Sequence, residues 1–307
     1  MKRAFFRRHK QILVLTRMLA LLIILITTQN ICAQETGKRM LSDEGFYTSL
    51  GLIQKFRFVE AEKMIETFKG NPIEKQLASM NLLWWQGLLS GPNNIFLNEL
   101  KVMTNQCAST SDNFSDTGTS DNVLQLSCGI FQIRLAGIEG NRVSGLKTIH
   151  SISPFLKEVL ANATLNEEYA LLAGVYNYAA GSLKSQYYIL RPFFMLMPSA
   201  NPEQGKEALI KLTKSGNQAM ATEAAYFLYK IEKEINEDLT AASSYLQHLI
   251  KNNPGNIIYQ IEWINLLDSQ GLGSQKARNE LRQMIAVSNL MPEQKTYLIG
   301  QLDRETE

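Results

Sequence analysis

The densest concentration of side chains suited to recognising a ligand lies between Tyr176 and Phe194. There Tyr176, Tyr178, Tyr187, Tyr188, Phe193 and Phe194 surround Arg191. Aromatic rings grouped with an arginine suit a peptide groove or stacking against a sugar. The competing reading is core packing where Pro192 redirects the chain. Tyr176, Tyr187, Tyr188 and Arg191 are therefore candidate residues of a ligand or partner face. Trp85 joins them. Neighbouring helical residues point about 100° apart, so at most one of Trp84 and Trp85 buries easily with the main face and the other is free to cover a groove.

Chemistry of other kinds finds little material. A histidine triad or metal site needs histidine beside an acid and a nucleophile, or beside further ligands. The chain has 3 histidines. His9 sits in a basic leader, His248 reads as a surface or half-buried structural residue, and His150 precedes only Ser151 and Ser153. Gly271-Leu272-Gly273 lacks a third glycine and a preceding strand, so it reads as a helix–helix turn and not a phosphate loop. Glu167-Glu168, Glu232 and Glu234 read as helix caps and solvated faces. No catalytic residue, metal ligand or cofactor is expected. An enzyme with a site assembled from dispersed acids is a further alternative.

The first 33 residues read as a targeting segment. Lys2, Arg3, Arg7, Arg8, Lys10 and Arg17 form a basic region without acids, followed by the apolar run 18–26 and a junction of Ile31-Cys32-Ala33 with Gln34. This is the pattern of a secretory signal cleaved near Ala33. The apolar run is shorter than the ~18 residues of a spanning helix, and retention as an anchor or lipidation at Cys32 are the alternatives. The formal charge of +2 falls to −4 once those six bases are set aside, because 25 basic residues then face 29 acidic ones. A basic footprint for nucleic acid is thereby excluded from the body of the chain. Export leaves Cys107 and Cys128 in an oxidising compartment, and a bridge between them would close a loop of about 20 residues, worth roughly 3 kcal/mol in a chain-entropy account. Two separate buried thiols are the alternative.

The remaining chain carries helical periodicity almost throughout and no alternation of strand length. The fold class is all-α. A polar lead over 34–41 precedes helix hairpins over 42–107, a polar loop over 108–122 is expected to be mobile, and helical repeats follow over 123–304. Within the last region, Val143–His150 reads as a short helix or irregular segment and Pro154 opens a separate piece, Phe155–Leu160. The stretch Asn217–Gly271 reads as helix, polar turn, helix, proline stop and third helix.

Three segments resemble tetratricopeptide repeats. Phe58 and Ala61 lead to Pro72; Leu239, Ala242, Leu246 and Leu249 lead to Pro254; and Tyr169, Leu172, Ala173 and Tyr176 match the first helix of a repeat. The resemblance implies antiparallel helix hairpins stacked as a right-handed α-solenoid, since each pair needs a neighbour to bury its apolar face. The export signal and the degenerate repeats together resemble exported helical-repeat proteins of Bacteroidetes-type bacteria. The function this implies is a non-catalytic scaffold for protein–protein interaction in the cell envelope, periplasmic or secreted, with a protein partner and no nucleic acid. Any membrane association would run through partners or an uncleaved signal. The alternative is a glycan- or small-ligand-binding component of an outer-membrane uptake system.

Overall fold

Short polar side chains set the helix starts. Asn71, Asn94, Asn141, Asn201, Asn217, Asp238 and Asn256 each accept, through a side-chain oxygen, a backbone N–H two or three residues further on. These contacts satisfy donors that a first helical turn leaves without partners. Pro72 and Pro202 follow two of the caps, at the position where a missing N–H breaks no hydrogen bond.

The computed structural model describes residues 44–110, 119–164, 167–186 and 197–304. Thirteen α-helices and one π-helical turn occupy the described residues, and no strand occurs among them. In chain order they are α1 (Glu44–Gln54), α2 (Phe58–Glu66), α3 (Pro72–Ser90), α4 (Ile95–Thr110), α5 (Thr119–Ile138), α6 (Arg142–Ala161) and α7 (Glu167–Gln186). Then come α8 (Pro202–Leu212), α9 (Gln218–Ile231), the π-helical turn Glu232–Asn236, α10 (Leu239–Asn252), α11 (Ile257–Ser269), α12 (Gln275–Val287) and α13 (Pro292–Arg304). The protein is all-α. The expected leader over 1–33 and lead over 34–41 lie outside the described residues.

Each helix packs against the next in the chain, and α1 on α3, α3 on α5 and α7 on α9 add contacts one step further on. That is the pattern of hairpins burying their apolar faces on their neighbours. The tightest crossing joins α7 to α8. A Cβ on Gly205 would lie 2.2 Å from the Tyr178 nitrogen and 2.7 Å from the Gly174 carbonyl oxygen, so only glycine allows the two backbones to approach.

The arrangement also closes on itself. Helix α9 packs on α1, and α13 packs on α3. Gln54 donates its side-chain amide to the Ala219 carbonyl at 3.3 Å and to Glu223 Oε1 at 2.9 Å, while Asn256 donates to the Gln54 carbonyl at 2.8 Å. Gln294 donates to the Gln86 carbonyl at 3.2 Å and to Ser90 Oγ at 3.1 Å. Gly91, with φ +80, lies under the Tyr297 ring, where a Cβ would come within 2.6 Å of Cε2. Helix α3 is thus covered on many sides, by α1, α2, α4, α5 and α13.

Several local expectations change. Residues 143–160 belong to one helix, α6, with Pro154 inside it. Packing outweighs the proline: α6 lies along α5 so closely that a Cβ on Gly129 would sit 2.3 Å from Ile152. The polar loop expected over 108–122 is narrower, since 108–110 end α4 and 119–122 begin α5; residues 111–118 lie outside the described ones. The block from Asn217 to Gly271 folds as read, with Ala242, Leu246 and Leu249 buried, but α9 runs on into the π-helical turn. That turn ends at Glu237 in a left-handed conformation, φ 55.

Candidate functional site

Of the residues expected to face a ligand, Tyr187, Tyr188 and Arg191 lie outside the described residues, as do Phe193 and Phe194. Tyr176 donates its hydroxyl to the Pro198 carbonyl at 2.6 Å, which ties the chain entering α8 back onto α7. Tyr178 is buried and donates to Glu232 Oε1 at 2.7 Å. Asn236 donates to both the Tyr178 oxygen and Glu232 Oε2, and Lys206 reaches Glu232 Oε1 at 2.6 Å. This network holds the π-helical turn against α7. Glu232 and Glu168 are therefore buried groups, and their reading as solvated faces is corrected.

Trp85 is also corrected. Both tryptophans are buried, Trp84 at 8% exposure and Trp85 at 6%. The roughly 100° between them, which on a one-sided helix would expose one, directs them into two different walls of the surrounded helix α3. Trp85 meets Phe56 at 5.7 Å and Tyr226 and Tyr259 at 6.4 Å each, between ring centroids. Trp84 faces α5, with Phe131 at 6.4 Å. His248 is on the surface as expected, in contact with Asn252 at 2.9 Å. Cys128 is disulfide-bonded. The side chain of Cys107 lies outside the described ones, so the pairing between the two stays an expectation.

The side chain that stands out is Arg134 of α5. It is 4% exposed, and its Nε and Nη1 are fully buried without a hydrogen-bond partner. Its guanidinium carbon lies 4.7 Å from the ring centroids of both Trp84 and Phe131. The two ring centroids are only 6.4 Å apart, so both rings meet the guanidinium from neighbouring directions and do not sandwich it. Burial pushes the guanidinium down to about 9, against the pull of Glu223 and Tyr226.

Glu223 and Tyr226 of α9 lie close enough to Arg134 to influence its ionisation. Glu223 Oε1 accepts the Gln54 amide, and burial raises its carboxyl despite that bond and Arg134. Burial likewise raises the Tyr226 hydroxyl. Both side chains nonetheless keep part of their surface accessible. Arg134 and Glu223 influence one another's ionisation but form no ion pair within 4.0 Å. Uncompensated buried charge is costly, and Tyr259 and Trp85 complete an aromatic wall beside Tyr226.

A second charged group is closed in on itself. Glu262 of α11 accepts from Tyr229 and Lys233 at 2.6 Å each and pairs with Lys230. Burial opposes its ionisation, yet Lys230 and Lys233 hold it well below the usual carboxylate range. Every oxygen and ammonium here has a partner, so the group serves α9–α11 packing. Among the described residues, no three His, Cys, Asp or Glu side chains gather as metal ligands, and no helix is long and apolar enough to cross a membrane.

Arg134 and Glu223 were not singled out from the sequence. The available signal was charge in apolar company: Arg134 is the sole charged residue over 126–138, and Glu223 interrupts an alanine-rich run. The chain matches no protein-family model, no curated protein and no solved structure.

Proposed function

We propose that this chain is an exported, non-catalytic helical-repeat protein of tetratricopeptide-like type that acts as a scaffold for protein–protein interaction in the cell envelope. The observation in its favour is an apolar row on the outside of α4. Ile95 and Val102, two helical turns apart and hence on one face, are 72% and 57% exposed. Ile138 is exposed beside them, next to the contact between Lys101 and Glu139 at 2.6 Å. Exposed apolar side chains grouped on one face and edged by charge suit a protein partner. The leader pattern supports export, and the stacked hairpins supply a stiff frame. The test is crosslinking capture from an envelope fraction with the full chain and with an Ile95→Asp/Val102→Asp variant of unchanged helicity. A stoichiometric partner captured by the first and lost from the second supports the scaffold. Capture that ignores both substitutions refutes this face.

A second reading is favoured by a separate observation. The buried guanidinium of Arg134, whose Nε and Nη1 have no hydrogen-bond partner beside Trp84 and Phe131, suits a small-ligand-binding component of an uptake system.

A further inference from the structure

We infer that the π-helical turn Glu232–Asn236 is a two-sided clasp that couples the α7–α8 hairpin to α11, so that loosening the turn on one side loosens it on the other.

Side-chain spacing sends the end of α9 and the turn in two directions. Glu232 and Asn236, four positions apart and hence on one face, reach toward α7 and α8. Glu232 Oε1 accepts from the Tyr178 hydroxyl at 2.7 Å and from Lys206 at 2.6 Å, and Asn236 donates to the Tyr178 oxygen at 2.7 Å. Tyr229 and Lys233, likewise four apart, turn to α11, where each donates to Glu262 Oε2 at 2.6 Å. Lys230 pairs with the other oxygen of Glu262. Among the described residues no side-chain hydrogen bond joins the two groups, yet Glu232 and Lys233, neighbours in the chain, belong one to each. The helices themselves keep apart: α7 packs on α6, α8, α9 and the turn, whereas α11 packs on α10 and α12.

The backbone explains why the two sides act together. A π-helical turn is a rare interruption of an α-helix, and such interruptions gather at functional positions. Here the Glu232 carbonyl accepts the N–H groups of both Glu237 and Asp238. Glu237 closes the turn at φ 55, a left-handed conformation that a residue with a long side chain adopts at a cost. Side-chain bonds on both flanks hold the turn in this shape. A slip back to α-helical register would rotate the residues beyond it by about 100°. That rotation would part Asn236 from Tyr178, or Lys233 from Glu262. Release on one flank frees the turn to relax and strips contacts from the other. Since Asn256 ties α11 to α1 through Gln54, a disturbance at α7–α8 is carried on to the closure of the chain.

The test is native-state hydrogen exchange read by mass spectrometry on the full chain. Tyr178→Phe removes one hydroxyl from the α7 flank. It should raise amide exchange in α11 about fivefold or more, while α5 stays unchanged. Glu262→Gln should do the same to residues 178–186 of α7, because coupling is reciprocal. In a Lys233→Met background, which opens the clasp toward α11 and leaves Lys230 on Glu262, Tyr178→Phe should no longer alter α11. Circular dichroism confirms that each variant folds, and Asn236→Ala replaces Tyr178→Phe if that chain does not. Exchange that rises only on the substituted flank overturns the inference. So does an equal rise in α5, which would mark a general loss of stability, or an effect on α11 that persists in the Lys233→Met background.

Discussion

Asn256 donates its side-chain amide to the backbone carbonyl of Gln54 at 2.8 Å, joining positions 202 apart in the chain. The same side chain accepts the Tyr259 N–H at 3.2 Å, so one fully buried residue caps α11 and closes it onto α1. Asn256→Ala removes the cap and leaves a buried carbonyl without its donor. The expected loss is about 2–4 kcal/mol, from a capping term of about 1 and an unsatisfied buried group of about 1–3. Urea unfolding checks it; a midpoint indistinguishable from the parent chain would show that α1 and α11 are held together by packing alone.

Glu262→Gln keeps a side chain of the same size but leaves Lys230, buried on α9, without its counter-charge. Breaking a buried pair on one side costs about 3–5 kcal/mol. The pH dependence has two arms. The Glu262 pKa is depressed on folding, so its contribution is present above the unfolded carboxylate pKa and is lost as pH falls below about 4.5 toward the folded value. The Lys230 pKa is raised, Glu262 and its neighbours outweighing desolvation, so its contribution is lost as pH climbs above about 10.5. Thermal midpoints across pH should fall at both ends for the parent chain and flatten in the variant.

Gly205→Ala forces a methyl group into the α7 backbone, where nothing flexible yields. Overpacking of this kind costs about 1–3 kcal/mol or more, and the upper end is expected because backbone atoms are in the way. Gly216→Ala, which meets nothing within 4 Å, is the matched control and should change stability by about 0.5 kcal/mol or less. Equal effects from the two would mean that the α7–α8 crossing is looser than its geometry.

Trp85→Ala should behave as a core truncation, with a loss of about 3–5 kcal/mol, since the ring is enclosed by Phe56, Tyr226 and Tyr259. Differential scanning calorimetry separates this from a surface role, in which the melting temperature would barely move.

Peptide mapping without reductant addresses Cys128. The expected product joins the peptides containing Cys107 and Cys128, and reduction should lower stability by roughly 3 kcal/mol for a loop of this length. A free thiol at Cys107 would assign the bridge elsewhere.

The helices were legible because their starts are written locally. Asparagine or aspartate caps and two prolines mark the turns, and Leu246 and Leu249 repeat at helical spacing. The same local logic misread Pro154 and Trp85, where packing against α5 and around α3 overrides a rule derived from a single helix. The candidate site was not legible. Arg134 comes within electrostatic reach of Glu223 and Tyr226, almost a hundred residues away, only in the folded chain, and no spacing in the sequence encodes that approach. A lone arginine in an apolar helix marks an unusual position without naming its neighbours.

The contacts of Gln54 with Asn256 and of Gln86 with Gln294 also bear on how such a chain can change over time. An open stack of hairpins can lengthen or shorten by whole units, because each addition disturbs only the unit beside it. Here, removing or duplicating any hairpin between α3 and α11 would rotate the later helices away from the partners they meet near the beginning. The number of units is thereby fixed, and variation is channelled into side chains on the outer faces and away from chain length.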